Sequence, residues 1–242
     1  MDTLNKELKR IGVIVAMDKE FAQLRTLLDD AQAERHHHKD FVRGRMGQTE
    51  VVMQQCGVGK VNAAMGAVEL LDDFAPDLVV STGCAGGASV SLSPLDVVVA
   101  TECVYHDVYC GKEMEYGQVM GMPARFKAPT GLVQQALELN KRFANLHIHS
   151  GLTVSGDWFV DSREKMQSIL NRFPEAMAVD MESCAIAQAC HVARVPFVSF
   201  RIISDVPLKD HDASQYFDFW NRMAEGSFEV TRHFLLSVAG GE

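Results

Sequence analysis

Three carboxylates in this sequence stand where they could do chemistry. Glu20, Glu182 and Asp205 each follow a short apolar run of the kind that forms a buried strand. In an open α/β sheet, ligands are held at the carboxyl ends of the strands. Cleavage of a glycosidic bond needs an acid, a base and negative charge beside the sugar, all of which carboxylates supply. The residues alone therefore predict a carboxylate-lined site for a polar, planar ligand.

Two other strand ends carry residues that suit ligand binding. The segment 83–87 is rich in glycine, which allows a close backbone approach, and Phe159 offers an aromatic face. Arg201 interrupts an apolar strand and must be paired if it is buried, so both a structural ion pair and a place in the site stay open. These strand ends share one cleft if the strands are parallel neighbours.

Glu182 follows a strand and begins a predicted helix, with Asp180 two residues before it. A carboxylate in the first turn of a helix is favoured in its ionised form by the helix dipole. Glu182 is therefore predicted to be a fixed negative charge beside a small molecule, with Asp180 in a supporting place.

Strands that alternate with helices indicate an α/β protein. The predicted strands are 11–17, 41–46, 50–55, 78–81, 96–100, 146–154, 177–180 and 196–203, and the predicted helices are 21–28, 60–74, 129–144, 162–172, 182–193 and 212–237. The second and third strands form a hairpin, so we expect a three-layer α/β/α sandwich around a central mixed sheet. We expect one domain over 1–242, with 1–10 as a polar N-terminal extension.

Composition excludes several classes of protein. A net charge of −9 argues against nucleic-acid binding, and neither a bilayer-spanning apolar run nor a signal peptide is present in the sequence. The six cysteines form no CxxC pair and predict buried thiols in a reducing cytoplasm. Gly57-Val58-Gly59-Lys60 is not a P-loop, because Val61 takes the Ser/Thr place.

Histidines and aromatic residues elsewhere favour structural interpretations. The run 36–38 predicts a solvated loop and not a metal site, and the same holds for His147 and His149. The aromatic residues of the last helix predict core or an interface; they are Tyr216, Phe217, Phe219 and Trp220.

Six motifs in order resemble those of the 5′-methylthioadenosine/S-adenosylhomocysteine nucleosidases, in the nucleoside phosphorylase superfamily. They are Val15-Ala16-Met17-(x2)-Glu20, Gly57-Val58-Gly59-Lys60, Thr82 to Gly87, Val154 to Asp157, Val179-Asp180-Met181-Glu182 and Arg201 to Asp205. The likeness runs from about residue 11 to 236. It implies hydrolysis of the bond between adenine N9 and ribose C1′, with release of adenine.

The resemblance also implies roles for individual residues. Asp205 would protonate adenine N7, oriented by Ser204. Glu20 would position and deprotonate the attacking water, with Arg201 close to that water. Glu182 would hold the ribose hydroxyls and stabilise positive charge on the sugar.

Other residues would contact the substrate, with Phe159 stacked on adenine, the Val160 backbone at the base edge and Met181 against the ribose. The full implied set is Met17, Cys84, Ala85, Gly86, Phe159, Val160, Asp180, Met181, Arg201 and Ser204. No metal and no cofactor are implied; the partners implied are 5′-thioadenosine nucleosides, adenine and a second subunit of a homodimer.

The chain departs from the family pattern at three places. Asp180 stands where the family often has Glu, and Cys84 stands where some members have serine. The segment 108–122 matches poorly, and in relatives this region lends apolar residues to the neighbouring subunit's site. The preference among 5′-substituted adenosines, including 5′-deoxyadenosine and aminodeoxyfutalosine, therefore stays open.

Two alternative functions fit the sequence less well. A purine nucleoside phosphorylase would need a fixed positive site for phosphate, but Glu20 would repel phosphate and no arginine stands beside Ser81 and Thr82. A non-catalytic nucleoside sensor would have no use for a water-activating base such as Glu20.

Overall fold

The computed structural model describes residues 8–36, 39–209, 214–222 and 228–239. The strands are β1 (Arg10–Val15), β2 (Asp29–His36), β3 (Lys39–Met46), β4 (Thr49–Gln55), β5 (Leu78–Gly87), β6 (Val97–Tyr105), β7 (Phe126–Lys127), β8 (Ile148–Ser155), β9 (Ala176–Asp180) and β10 (Phe197–Asp205). The helices are α1 (Asp18–Leu24), α2 (Lys60–Phe74), α3 (Thr130–Arg142), α4 (Arg163–Leu170), α5 (Ser183–Ala193), α6 (Ser214–Arg222) and α7 (Glu229–Val238).

The strands form one mixed sheet, as predicted. Its order is β10-β6-β8-β9-β5-β1-β4-β3-β2, with β7 paired to β6 and a further pairing of β10 with β5. The last pairing closes β5, β10, β6, β8 and β9 into a ring. The hairpin of β3 and β4 is antiparallel and turns through Gly47 and Gln48.

Two parallel sets of strands meet inside this sheet. β4, β1, β5 and β10 run one way, whereas β6, β8 and β9 run the other way. Not all the site strands are parallel neighbours. β9 is antiparallel to β5 and pairs only with its end, Gly86 opposite Val179 and Gly87 opposite Ala178. Because β5 and β9 overlap only at these ends, their carboxyl ends still meet in one place. The two sets also join where β10 pairs antiparallel with β6.

Alternation along β1 places the sheet between two layers of helices. Ile11 and Val13 belong to a buried cluster with residues of α1, α3 and α7, whereas Ile14 belongs to a second cluster with residues of α2 and α5. Successive side chains of a strand point to opposite faces, so both faces of β1 are buried by helices. The three-layer α/β/α arrangement is confirmed.

Several element bounds differ from the sequence prediction. The strand β2 was not predicted because Asp29–His36 is mostly exposed and polar, and what holds it is backbone pairing with β3. β5 continues through the glycine-rich segment, which is therefore strand and not turn. Within the predicted final helix the structure describes two helices, α6 and α7, and residues 223–227 lie outside the described residues.

The predicted solvated loop at the first histidine is also wrong. His36 ends β2, and its ring packs edge-on against Phe41 and Phe74 at centroid distances of 5.4 and 5.5 Å. His37 and His38 lie outside the described residues. Across the described part of the chain, no group of three or more His, Cys, Asp or Glu side chains is placed to hold a metal ion.

In the described segments, every helix is too short or too polar to cross a membrane.

Candidate active site

Glu20 lies in the first turn of α1, just past the end of β1, and is buried. Its Oε2 accepts hydrogen bonds from the amides of Ala16 at 3.1 Å and Met17 at 3.0 Å, and its Oε1 accepts one from the Cys84 amide at 2.9 Å. Burial raises the pKa of Glu20, although these amides and Arg201 oppose the shift. A buried carboxyl with a raised pKa is a stronger base than an exposed one.

Gly83 brings Glu20 and Arg201 to the same point. A Cβ on Gly83 would lie 2.7 Å from Arg201 Nη1 and 2.8 Å from Glu20 Oε1. Any side chain there would displace one of the two charged groups. The glycine in this part of β5 therefore serves the close approach of a guanidinium and a carboxylate.

Arg201 is buried on β10 and is part of an ion pair. Its Nε lies 2.6 Å from Asp180 Oδ2 and 3.0 Å from Ser183 Oγ, and its Nη2 donates to Ser81 Oγ at 3.0 Å. Asp180 in turn accepts from Ser155 Oγ at 2.5 Å and from the Ser183 amide at 3.0 Å. Of the two interpretations left open for Arg201, the structural ion pair is present, and the guanidinium also lines the cavity.

Glu182 is the residue that precedes α5, and its side chain crosses to the start of α2. Its Oε1 accepts a hydrogen bond from the Gly59 amide at 2.9 Å. Burial, followed by the charge of Asp180, raises the pKa of Glu182 to about 7, against the opposing effect of Arg201. Burial and the charge of Asp180 thus oppose the ionised form predicted for Glu182, whereas Arg201 and the Gly59 amide favour it.

Asp205 ends β10 and lies beside Ser204. Ser204 Oγ is 2.5 Å from Asp205 Oδ1 and 3.1 Å from the carbonyl oxygen of Ala85. All three residues line the cavity, and Asp205 is buried. The β10 register shifts between Ile203 and Asp205, which sets Asp205 opposite Gly86.

Aromatic side chains form the open wall of the cavity. Phe159 is half exposed and meets Tyr216 of α6 edge-on, at a centroid distance of 5.1 Å. Trp158 meets the buried ring of His106 at 5.2 Å. Tyr216 was predicted to be core or interface, but it lines the cavity. Sequence spacing could not reveal this because α6 reaches the cavity only in the folded chain. The side chain of Trp220 lies outside the described residues.

The structure brings every predicted site residue to one cavity. The lining consists of Ala16, Met17, Glu20, Val58, Cys84, Ala85, Gly86, Trp158, Phe159, Val160, Val179, Asp180, Met181, Glu182, Arg201, Ser204, Asp205 and Tyr216. Ala16, Val58, Trp158, Val179 and Tyr216 were not predicted. Ala16, Val58 and Val179 stand within the quoted motifs and Trp158 directly follows one, so these four could have been found from the motifs. Tyr216 lies outside every motif.

Cys84 contributes its backbone to the site more than its thiol. Its amide donates to Glu20, and burial raises the pKa of the thiol well above the usual value, with a further contribution from Glu20. The thiol is therefore neutral. Because the backbone makes the bond to Glu20, the exchange of serine for cysteine leaves that bond in place.

Comparisons with known proteins point to a single family. The family model of the Phosphorylase superfamily matches residues 10–236. A 5′-methylthioadenosine/S-adenosylhomocysteine nucleosidase of Geobacillus sp. (strain WCH70) is 39% identical over 230 residues, which are 95% of this chain and 99% of the relative.

Solved structures agree in fold over nearly the whole chain. The nucleosidase of Neisseria meningitidis, in complex with methylthio-immucillin-A, has a TM-score of 0.89 and 35% identity and covers 95% of this chain and 100% of its own. The nucleosidase of Colwellia psychrerythraea 34H, in complex with adenine, has a TM-score of 0.88 and 34% identity and covers 97% and 98%.

Proposed function

Because the chain belongs to the 5′-methylthioadenosine/S-adenosylhomocysteine nucleosidases of the phosphorylase superfamily, we propose that it hydrolyses the N-glycosidic bond of these two nucleosides. The products are adenine and the corresponding 5-thioribose compound. The observation that carries the proposal is the presence of Glu20, Glu182 and Asp205 on one cavity wall. This reaction serves methionine salvage and the recycling of by-products of S-adenosylmethionine.

Asp205 acts as the general acid towards adenine N7. Adenine leaves poorly as an anion, so protonation of the base removes much of the barrier. The geometry around Ser204 supports this role. Ser204 Oγ lies 2.5 Å from Asp205 Oδ1, to which it donates, and 3.1 Å from the Ala85 carbonyl oxygen. These contacts fix the orientation of the Asp205 carboxyl at the end of β10.

Glu20 positions and deprotonates the attacking water. Three backbone amides fix its carboxylate, and burial makes the carboxylate more basic. Arg201, held by Asp180, brings positive charge to the same place above Gly83. It steadies the hydroxide-like oxygen as the water loses its proton.

Glu182 binds the ribose hydroxyls and stabilises the positive charge that develops on the sugar. Its position beside the Gly59 amide and its contact with the cavity support this role. Met181 packs against the ribose, Phe159 stacks on adenine, and the Val160 backbone reads the base edge. The raised pKa of Glu182 falls again when a cationic sugar develops next to it, since opposite charge favours the ionised form.

Phosphorolysis is the closest alternative reaction. Among the described residues that line the cavity, the one arginine is Arg201, and its Nε is already engaged by Asp180. The test is adenine release from methylthioadenosine in phosphate-free buffer, followed with and without added phosphate. We expect equal rates, and a rate that depends on phosphate would overturn the proposal.

The same assay ranks the possible substrates. Methylthioadenosine and S-adenosylhomocysteine are compared with 5′-deoxyadenosine and aminodeoxyfutalosine at equal concentration. A much higher kcat/KM for aminodeoxyfutalosine would identify it as the physiological substrate. The bond that is cleaved would be the same.

The enzyme works as a homodimer of single-domain subunits in the cytoplasm. An apolar stripe on α2, formed by Val61, Met65 and Val68, is exposed, as is Val192 on α5, and large exposed apolar patches mark interaction sites. Six free cysteines support a reducing compartment. Light scattering of the purified chain tests the dimer, with Val61→Lys expected to shift it towards monomer.

A further inference from the structure

Three segments in and beside the cavity wall meet at the first turn of α2. They are 57–60 at the start of that helix, 105–107 at the end of β6, and 155–160, which follows β8. The first segment is the Gly-Val-Gly-Lys motif that is not a P-loop. The proposed chemistry leaves the side chain of Lys60 unused, and it does the same for Asp107 and Asp157.

Two consecutive amides at the start of α2 hold carboxylates from different parts of the wall. Gly59 N donates to Glu182 Oε1 at 2.9 Å, and Lys60 N donates to Asp157 Oδ1 at 2.8 Å. The two amides are consecutive along the chain, with Gly59 at φ 93° and ψ 163° between them. The sugar-side carboxylate and the segment that carries Phe159 are therefore bonded to neighbouring backbone groups of one element.

Side chains reinforce this connection. Lys60 Nζ donates to Asp107 Oδ1 at 2.9 Å and Oδ2 at 2.8 Å, and it lies 3.7 Å from Asp157 Oδ2. The Asp157 amide donates back to Asp107 Oδ2 at 2.9 Å. Lys60, Asp107 and Asp157 thus form a closed ring of contacts, here named the clamp.

Glycines let the three segments approach closely. Gly59 has φ of +93°, and a Cβ there would lie 3.1 Å from Asp157 Oδ1. A Cβ on Gly156 would lie 2.4 Å from Cε1 of the buried His106 ring. Gly156 has no room for a side chain, and Gly59 has a backbone conformation that other residues rarely adopt.

We infer that Lys60, Asp107 and Asp157 are positioning residues that hold the base-contacting segment 158–160 at a fixed distance from Glu182. The inference rests on the proposed function, because it takes Phe159 and Val160 as contacts of the adenine. Without the clamp, base contacts weaken equally in the substrate complex and in the transition state. Loss of such uniform binding raises KM and leaves kcat unchanged.

Asp157→Ala tests the inference, because this side chain is 48% exposed and Lys60 keeps its partner Asp107 when it is removed. We expect KM for methylthioadenosine and Kd for free adenine to rise together by about tenfold, with kcat within about twofold of wild type. The melting temperature should stay unchanged. Asp157→Asn keeps an oxygen that can accept from Lys60 N and should restore most of the loss.

Glu138→Ala is the matched control. Glu138 is 55% exposed and forms an ion pair with Lys141 at 2.7 Å on α3. This variant should leave KM and the adenine Kd at wild-type values.

Two results would overturn the inference. One is an Asp157→Ala variant with wild-type KM and adenine Kd, and the other is a fall in kcat that tracks a fall in melting temperature. A wild-type chain that neither binds adenine nor releases it would overturn the proposed function and the inference together. If the wild-type chain is active and Asp157→Ala has wild-type KM and adenine Kd, only the inference is overturned and the proposed function stands.

Discussion

Asp180 and Arg201 form an ion pair 2.6 Å long in which both side chains are almost fully buried. Asp180 comes from the end of β9 and Arg201 from the middle of β10, which belong to the two opposed sets of strands. The pair therefore joins the two sets at the place where the cavity lies. It also explains how an arginine is tolerated inside an apolar strand.

Asp180→Ala should destabilise the protein by about 3–5 kcal/mol, because it leaves the Arg201 charge buried without its partner. The free energy of unfolding is measured by urea denaturation. Asp180→Glu, which introduces the residue that the family often carries, should lower the free energy of unfolding much less. Asp40→Ala removes the exposed pair with Arg35 at 3.4 Å and should leave stability unchanged. Equal stability of Asp180→Ala and wild type would show that the pair does not hold the two sets of strands.

Asp205→Asn should lower kcat for methylthioadenosine by about 10²- to 10⁴-fold, since an amide cannot transfer the proton to adenine N7. Adenine release is measured spectrophotometrically, and adenine binding by calorimetry should change little. Asp218→Asn, on the exposed side of α6, is the control and should behave as wild type. A kcat that falls less than about threefold in Asp205→Asn would assign the general acid to another group.

Glu20→Gln should lower kcat by at least about 10²-fold, because the amide is not a base. It should also cost stability, since the Gln side-chain NH₂ must face a backbone N–H, either that of Cys84 or those of Ala16 and Met17. Asp18→Asn is an exposed acid in the same helix turn and serves as the control. If Glu20→Gln keeps the turnover of the wild type, Glu20 is not the base that activates the water.

Glu182→Gln should stabilise the ligand-free protein above pH 7 while it lowers activity. The pKa of Glu182 is raised in the folded state to about 7. The stability that its protonated side chain contributes is therefore complete below about pH 4.5 and is lost as the pH rises to 7. The ionised side chain costs about 3 kcal/mol relative to an exposed carboxylate. Gln keeps an acceptor for the Gly59 amide without the charge.

Thermal melts at pH 5 and pH 8 measure this effect. The two proteins should melt together at pH 5, and Glu182→Gln should melt higher at pH 8. The reverse order at pH 8 would mean that Glu182 is stabilised as an anion in the free enzyme.

The site was largely predictable from sequence because each catalytic carboxylate directly follows an apolar run. Glu20, Glu182 and Asp205 can each be recognised from the residues that precede them, and the order of the motifs indicated the family. The reversed direction of β9 was not predictable, because alternation of side chains is the same for parallel and antiparallel strands. Tyr216 could not be placed for a similar reason, since its position depends on how α6 packs after the last strand.

The protonation state of Glu182 was also beyond sequence. Its position at the start of α5 suggested a stabilised anion, but the charge of Asp180 and the loss of water act through space. The same limit applies to the edge strand β2, whose exposed, polar residues look like a loop and are held by the backbone of β3.

The ring of β5, β10, β6, β8 and β9 has a consequence for how the enzyme is made. Among the described strands β10 is the last to leave the ribosome, and it brings Arg201 and Asp205 to a cavity whose other lining residues outside β10, except Tyr216 of α6, are already synthesised. Pairing of β10 with β5 joins residues more than a hundred positions apart, and such non-local contacts form slowly. Until that pairing forms, Glu20 and Asp180 have no buried cation to face. Activity therefore arrives in a single late step, and a nascent chain cannot cleave nucleosides before its sheet is closed.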